Sequence, residues 1–294
     1  MVNQALPLRA MRFLRDKAFY RIVVSRRVSP ESLKHIDRLS ADTAVLTVAF
    51  NQPALIRLQL EGLTRFIHPA PAIIIVDNSS HPESRQEIAA LAKEFGATYI
   101  RAPFNPFSSF QGSLSHASTL DWAWSRIIGE SRVNNVLLLD HDIFPVAKLS
   151  LGSLFQGVAA AGVREERAGM WYLWPGFLAI NRDLMGGPPL SFMPYRELDT
   201  GGSLWVSHYR NLGSEMIREC DLVLNRVSDA EYKQVSGVEI INGLWLHLVD
   251  GSGWHDGVTK LERMGRSLSD SPANIRLESL LINLAGKGVE IPRQ

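Results

Sequence analysis

The sequence has little cysteine, little excess charge and no long apolar run, and each shortage excludes a class of protein. A single cysteine, Cys220, excludes an internal disulfide and a cysteine-based zinc centre, and a reducing compartment is the simplest setting. With 31 basic and 30 acidic residues the formal net charge is +1, so no overall positive field attracts nucleic acid. No apolar stretch reaches the roughly 18 residues of a membrane span, and no secretory signal is recognisable, so we expect a cytoplasmic protein.

The composition is that of a folded chain. Hydrophobic residues make up 46% and charged residues 21% of the 294 residues, a balance that excludes a disordered chain. We expect two parts, a basic N-terminal arm over residues 1–40 and one domain over residues 41–294.

The N-terminal arm is strongly basic. Residues 1–30 carry seven arginines and lysines against one acid, Asp16. Apolar residues recur there at helical spacing and predict an amphipathic helix, namely Leu8, Met11, Leu14, Ala18 and Ile22. Two interpretations remain open: a helix packed on the domain with its basic face in solvent, or a peripheral anchor on anionic lipid or a lipid-linked substrate at the inner face of a membrane.

From residue 43 onward, strand and helix patterns alternate along the chain. Short apolar runs predict strands at 44–50, 73–76, 98–100 and 136–139, and amphipathic segments between them predict helices at 53–68, 83–95 and 114–128. This order is typical of an α/β fold with a mostly parallel, doubly wound sheet and helices on both faces. We expect the second half to continue the same sheet and to carry long functional loops.

Polar residues follow three of the predicted strands, where parallel strands bring ligands to one edge of a sheet. Asp140 and Asp142 flank His141 and offer oxygen ligands to Mg²⁺ or Mn²⁺, or else cap a turn and face solvent. Asp77 ends the second strand, where it either accepts a hydrogen bond from a pyrimidine base or belongs to an ordinary turn. In the first case Asn78 and Ser79 shape the pocket.

Three motifs in this order, TVAFNQP at 47–53, IIIVDNSS at 73–80 and LLLDHD at 137–142, resemble the nucleotide-sugar half of a GT-A glycosyltransferase, most similar to family 2. The match covers roughly a third of the chain. The resemblance implies a nucleotide-sugar half at 41–145 and an acceptor half at 146–294. It assigns Phe50, Asn51 and Asp77 to the nucleotide, and Asp140 and Asp142 to the ribose, the sugar and the metal ion. We also expect four neighbouring residues on the donor side, namely Asn78, Ser79, Asn105 and His141. The loop at 104–116 departs from the family pattern, because Phe107 replaces a glycine and His116 lies near the place of an asparagine.

The second half is expected to supply the acceptor side. An inverting member of the family needs a carboxylate as general base, for which we expect Asp199 first and Glu197 second. A helix N-cap is the alternative for Asp199. The segment WPGFLAIN at 174–181, with Trp174 and Gly176, resembles the acceptor side of the sugar pocket, and it is also typical of a packed aromatic corner.

A C-terminal histidine is a further candidate ligand of the metal. We expect His247 or His255 to bind Mn²⁺ or Mg²⁺, since some GT-A enzymes add such a histidine. A hydrogen-bonded core histidine is the alternative for His247.

The resemblance therefore implies a metal-dependent, inverting transferase that moves a sugar from a nucleotide-diphosphate donor to a glycan or lipid-linked glycan in envelope polysaccharide assembly. Two alternatives remain. A nucleotidyltransferase usually carries a glycine-rich basic loop after the first strand, which AFNQPALIRL lacks. A degenerate glycosyltransferase that serves as a binding or scaffold protein is the other.

Overall fold

The computed structural model describes residues 5–30, 32, 36, 41–229, 234–248, 276–286 and 288–292, apart from the side chains of 5–10 and 226–237. Within these residues the helices are α1 (Ala5–Val24), α2 (Pro53–Phe66), α3 (Pro82–Glu94), α4 (Gly112–Ala123), α5 (Gly152–Phe155), α6 (Arg182–Met185), α7 (Ser203–Ser207) and α8 (Leu277–Gly286). The strands are β1 (Thr43–Ala49), β2 (Ala72–Asp77), β3 (Thr98–Arg101), β4 (Asn135–Leu139), β5 (Ile143–Pro145), β6 (Ala160–Arg167), β7 (Met170–Asn181), β8 (Ile217–Glu219), β9 (Leu222–Asp229), β10 (Gln234–Ile241) and β11 (Trp245–Leu248).

The main sheet has seven strands in the order β3-β2-β1-β4-β7-β6-β8. Four of its strand pairs are parallel, and only the two pairs made by β7 are antiparallel. The predicted fold class, a mostly parallel doubly wound α/β sheet with helices on both faces, is confirmed.

Alternation of side chains along β1 explains why both faces are covered. Leu46 and Val48 pack in one cluster with Leu120 of α4 and Val23 of α1. Val45 packs on the opposite face with Leu63 of α2. The strand is buried on both sides, which is why its sequence is a continuous apolar run.

The second half only partly continues this sheet. Strands β6, β7 and β8 extend it, whereas β5, β11, β10 and β9 form a separate antiparallel sheet of four strands. Strand β5 follows directly after the acidic turn at 140–142, and its pairing places His247 opposite Ile143. This small sheet therefore brings a distant histidine to the carboxyl end of β4.

Helix α1 forms as predicted, but it packs through a different face. Val23 is fully buried and Phe19 and Tyr20 are half-buried, whereas Met11 is 66% and Leu14 63% exposed. The helix therefore packs on the domain, as one of the two open interpretations has it, but through Phe19, Tyr20 and Val23 and not through the side that carries Met11 and Leu14. No helix within the described residues has the length and apolarity needed to cross a bilayer.

Candidate functional site

A cleft of about 590 Å³ opens where β1, β2 and β4 end. Seven of the residues that the sequence analysis selected line it: Phe50, Asn78, Asp140, His141, Trp174, Asp199 and His247. The other selected residues in the described part of the chain do not line it, namely Asn51, Asp77, Ser79, Asn105, Asp142, Gly176 and Glu197. His255 lies outside the described residues.

The acidic turn after β4 is held by Gln59, a buried residue of α2. The Gln59 Nε2 atom donates hydrogen bonds of 2.8 Å to the carbonyl oxygens of both Asp140 and Ile143, while Oε1 accepts one from the Thr47 hydroxyl. The backbone N–H of Asp140 donates to the carbonyl of Gly176 at 2.8 Å. The turn is therefore fixed before any ligand arrives. Gln59 was not predicted from the sequence, although a polar residue within the apolar face of a helix indicates a buried hydrogen-bonding role.

Asp142 and His247 meet beside this turn. The side chain of Asp142 is 1% exposed, and its Oδ2 atom lies 3.8 Å from Nε2 of His247. The other ring nitrogen of His247, Nδ1, lies 2.6 Å from Oε2 of Glu239 on the neighbouring strand. Burial alone lowers the pKa of His247, but the Glu239 hydrogen bond and the charges of Asp142, Glu239 and Asp140 outweigh it and raise that pKa. Glu239 was not predicted from the sequence either, although an acid inside the apolar run of β10 indicates that it has a specific partner.

Two more histidines surround Asp140. Nε2 of His116 lies 3.4 Å from Oδ1 of Asp140, so this residue of α4 contacts the acidic turn directly. Burial raises the pKa of Asp140, and the nearby His116 opposes that shift. His141 lines the cleft with Nδ1 3.2 Å from the carbonyl of Val48, and its buried Nε2 has no hydrogen-bond partner among the described residues.

The residues after β1 and β2 mainly build their own turn. Asp77 is buried, and its two oxygens accept hydrogen bonds from the Ser79 amide at 2.9 Å and the Tyr99 hydroxyl at 2.7 Å. Asn51 has a positive φ of 52° and accepts the amides of Ser80 and His81. Among the selected residues after these two strands, Phe50 and Asn78 line the cleft.

Asn105 is buried, and its side chain connects the loop before α4 to the first turns of that helix. Its side-chain nitrogen donates to the Ser115 carbonyl and to the hydroxyls of Ser118 and Thr119, and its side-chain oxygen accepts the Phe107 amide. These contacts hold the first turns of α4, which carries Ser115 and His116 into the cleft wall.

The two candidate bases have different surroundings. Asp199 lines the cleft, and its Oδ1 accepts the Thr200 amide at 2.8 Å, whereas Glu197 is exposed and does not line it. Asp199 is not the N-cap of α7, because Gly202 holds that position. Burial and then the charge of Asp199 raise the pKa of neighbouring Tyr172 to about 12, so this phenol stays protonated.

The aromatic corner predicted at 174–177 borders the same cleft. The ring of Trp174 lies 5.1 Å from that of His247, measured between centroids. A Cβ on Gly176 would lie only 2.1 Å from the Trp174 ring, so this position requires glycine for the indole to lie where it does. Gly176 thus acts on the cleft through Trp174 and through its bond to Asp140.

The charges lining the cleft favour an anionic ligand only together with a cation. Four lining residues are acidic, Asp140, Glu165, Asp199 and Glu239, and among the lining residues in the described part of the chain only Arg167 is a lysine or arginine. A diphosphate would meet net repulsion from these carboxylates unless a divalent ion neutralised it.

The donor set at the acidic turn suits such an ion. Carboxylate oxygen and imidazole nitrogen are ligands that Mn²⁺ accepts. Within the described residues, no group of three or more His, Cys, Asp or Glu side chains is already arranged around one metal position. Asp142 Oδ2 and His247 Nε2 offer a pair of ligand atoms 3.8 Å apart, next to Asp140.

No protein-family model and no curated protein sequence matches the chain. Solved structures similar to it include the galactosyltransferase LgtC with donor and acceptor sugar analogues, at 16% identity over 60% of this chain and 73% of that one, with a TM-score of 0.39. Another is glucosyl-3-phosphoglycerate synthase from Mycobacterium tuberculosis with Mn²⁺, UDP and glucosyl-3-phosphoglycerate, at 15% identity over 61% and 69%, with a TM-score of 0.41. Likeness at this level says nothing about what this chain binds.

Proposed function

We propose that the protein is a GT-A glycosyltransferase of the family 2 type, which transfers a sugar from a nucleotide-diphosphate donor. The observation that carries the proposal is the meeting of Asp140, His247 and Asp199 at one cleft, at the carboxyl edge of a mainly parallel sheet. These residues come from three distant parts of the chain, and an anion-binding site with a positioned base accounts for their convergence.

Asp140, Asp142 and His247 would hold a divalent ion, and the imidazole favours Mn²⁺ over Mg²⁺. When bound, such an ion neutralises the charge on the diphosphate leaving group. With an ion bound, Nδ1–H of His247 would donate its hydrogen bond to Glu239, which leaves the lone pair of Nε2 for the ion. His255 stays a prediction as a further ligand.

The donor side rests on residues after β1, β2 and β4. Phe50 and Asn78 line the cleft where a nucleotide would lie, and His141 lines it as well. Asn51, Asp77, Ser79 and Asn105 support this wall through the hydrogen bonds that shape it. The base pocket proposed for Asp77 requires its carboxylate to accept from the nucleotide as well as from Tyr99.

Asp199 would act as the general base of a single displacement. It removes the proton of the acceptor hydroxyl as that oxygen bonds to the anomeric carbon, while the bond from this carbon to the diphosphate oxygen breaks, which inverts the configuration. Its position in the cleft and its hydrogen bond from the Thr200 amide support this role over Glu197. The acceptor would be a glycan or a lipid-linked glycan.

A nucleotide screen tests the proposal. We expect UDP, GDP or dTDP to raise the thermal unfolding temperature with Mn²⁺ and much less without it, and the corresponding nucleotide sugar to be slowly hydrolysed. Absence of any nucleotide response would favour the scaffold alternative. Release of pyrophosphate from a nucleoside triphosphate and a sugar phosphate would favour the nucleotidyltransferase.

A further inference from the structure

The side of α1 that points away from the domain carries a row of apolar side chains. The helix packs through Phe19, Tyr20 and Val23, and the Tyr20 hydroxyl donates to Asp121 at 2.7 Å. With about 100° of rotation per residue, the opposite side of the helix carries Leu14 and Ala18 at its centre. The outward row consists of Met11, Leu14, Ala18 and Ile22, all of them exposed.

Cations flank this row on both sides. Arg15 lies along one edge, Lys17 and Arg21 lie along the other, and all three are exposed. The only acid of the helix, Asp16, is paired with Arg15 at 2.7 Å. An apolar row between two basic edges is the arrangement of a helix that lies in the plane of a membrane interface.

The loop before α4 extends the same surface. Phe110 is 46% exposed, its ring lies 6.1 Å from that of Phe19, and the guanidinium of Arg15 sits 4.8 Å from its centroid. Phe104 in the same loop is 77% exposed. Six of the eleven exposed large hydrophobic side chains among the described residues lie on α1 or this loop. The α1 surface consists of the outward row, the flanking cations Arg15, Lys17 and Arg21, and Phe110.

We propose that the α1 surface docks on an anionic lipid bilayer, with the apolar row at the level of the acyl chains and the cations among the headgroups. Anionic lipid complements the charge of the helix. A second copy of this chain on the same face would instead bring the cations of two helices together, which is unfavourable. Charge complementarity therefore selects a lipid surface over self-association.

Docking through this surface would also fix the position of the cleft relative to the membrane. Arg15 and Phe19 contact Phe110, two residues before the first turn of α4 that lines the cleft, whereas Tyr20 contacts the other end of α4 at Asp121. The middle of the docking helix, at Arg15 and Phe19, thus contacts the loop that leads into the cleft-lining end of α4. If the proposed transferase function holds, this places the acceptor site beside a lipid-linked acceptor, but docking itself does not depend on that function.

Vesicle co-sedimentation of the full chain without nucleotide tests the proposal. We expect the protein to bind phosphatidylcholine vesicles containing phosphatidylglycerol at least about tenfold more tightly than phosphatidylcholine alone, with binding weakened by salt. The variant M11Q/L14Q should bind anionic vesicles about tenfold more weakly because it loses the apolar insertion. The variant K17Q/R21Q should show a similar loss. The control I282Q, an equally exposed position on α8, should bind as the parent does.

Protein that stays in the supernatant with anionic vesicles would overturn the proposal, as would equal binding of the parent and both double variants. A dimer in sedimentation velocity that M11Q/L14Q converts to monomer would assign the surface to self-association and overturn it too. The substituted side chains lie in solvent, so unchanged thermal unfolding should accompany each variant. A separate titration with nucleotide in the absence of lipid keeps failure of the transferase proposal distinguishable.

Discussion

Glu239 and His247 lie directly opposite each other on β10 and β11, with Oε2 of the carboxylate 2.6 Å from Nδ1 of the imidazole. This pairing turns Nε2 of the histidine toward Asp142, 3.8 Å away. A carboxylate behind a histidine fixes the tautomer that can bind a metal ion. Glu239 is thus the positioning residue of the proposed metal site.

Replacing Glu239 tests this relationship. We expect Glu239→Gln to weaken Mn²⁺-dependent nucleotide binding about tenfold, because the amide no longer holds the imidazole by charge. Isothermal titration with the nucleotide that the screen identifies, with and without Mn²⁺, measures the change. The exposed Glu87 of α3 offers the matched control Glu87→Gln. Equal affinities for parent and Glu239→Gln would show that Glu239 has no part in the site.

Substitutions at Asp199 and at Glu197 distinguish between the two candidate bases. We expect Asp199→Asn to lower the rate of sugar transfer about 10²- to 10⁴-fold, since the acceptor proton loses its base, with little change in donor affinity. Glu197→Gln should keep close to the parental rate because Glu197 does not line the cleft. Initial rates and donor titrations on the same preparations provide both values. The assignment is reversed if Glu197→Gln shows the larger loss of rate.

Gln59 connects the core to the acidic turn. Gln59→Met keeps the shape but leaves the carbonyls of Asp140 and Ile143 and the Thr47 hydroxyl without their partner. We expect a loss of about 2–4 kcal/mol in the free energy of unfolding, from buried polar groups left unsatisfied. Urea denaturation measures it, with Gln86→Met on the exposed face of α3 as control. A loss no larger than that of the control would mean that these bonds do not stabilise the turn.

The carboxyl group of Asp121 makes the free energy of unfolding depend on pH. It accepts hydrogen bonds from Tyr20, Ser191 and Phe192, yet burial raises its pKa from the ordinary value of 3.8 to about 6. The folded state holds the proton more tightly than the unfolded one. The stabilising contribution of the protonated Asp121 carboxyl to the free energy of unfolding is therefore fully present below about pH 4. It is lost as the pH rises through about 6.

We expect the difference in unfolding free energy between the parent and Asp121→Asn to fall by about 2 kcal/mol between about pH 4 and pH 7. Denaturation of both proteins across this range measures the difference directly. Since the amide of the variant does not titrate, the contributions of all other groups cancel in the comparison. A difference that stays constant with pH would place the pKa of Asp121 near its ordinary value in the fold.

Much of the fold could be predicted because its strands are buried on both faces. The apolar runs that predict β1, β2 and β4 end within a residue or so of the observed strands, and each is followed by the polar residue that turns the chain. Asp140 and Asp199 could be selected because acids after a buried strand or before a glycine turn are locally conspicuous. Parallel strands then bring such ends to one edge.

Contacts between distant segments could not be predicted from the sequence. Helical spacing identified the apolar row of α1 but not its direction, which depends on Tyr20 meeting Asp121, 101 residues later. Glu239 and Gln59 have their roles only because strand pairing and helix packing bring His247 and the acidic turn against them. The separate sheet of β5, β9, β10 and β11 likewise arises from pairing that periodicity does not encode.

The central claim is that Asp140, Asp142 and His247 hold a divalent ion and a nucleotide diphosphate in the cleft. Crystals grown with Mn²⁺ and UDP, measured for the anomalous signal of manganese, test it most directly. We expect one strong peak bonded to Asp142 Oδ2 and His247 Nε2 and bridging to the diphosphate beside Asp140. Manganese and UDP bound elsewhere, or UDP bound in the cleft with no manganese peak at these side chains, would contradict the claim.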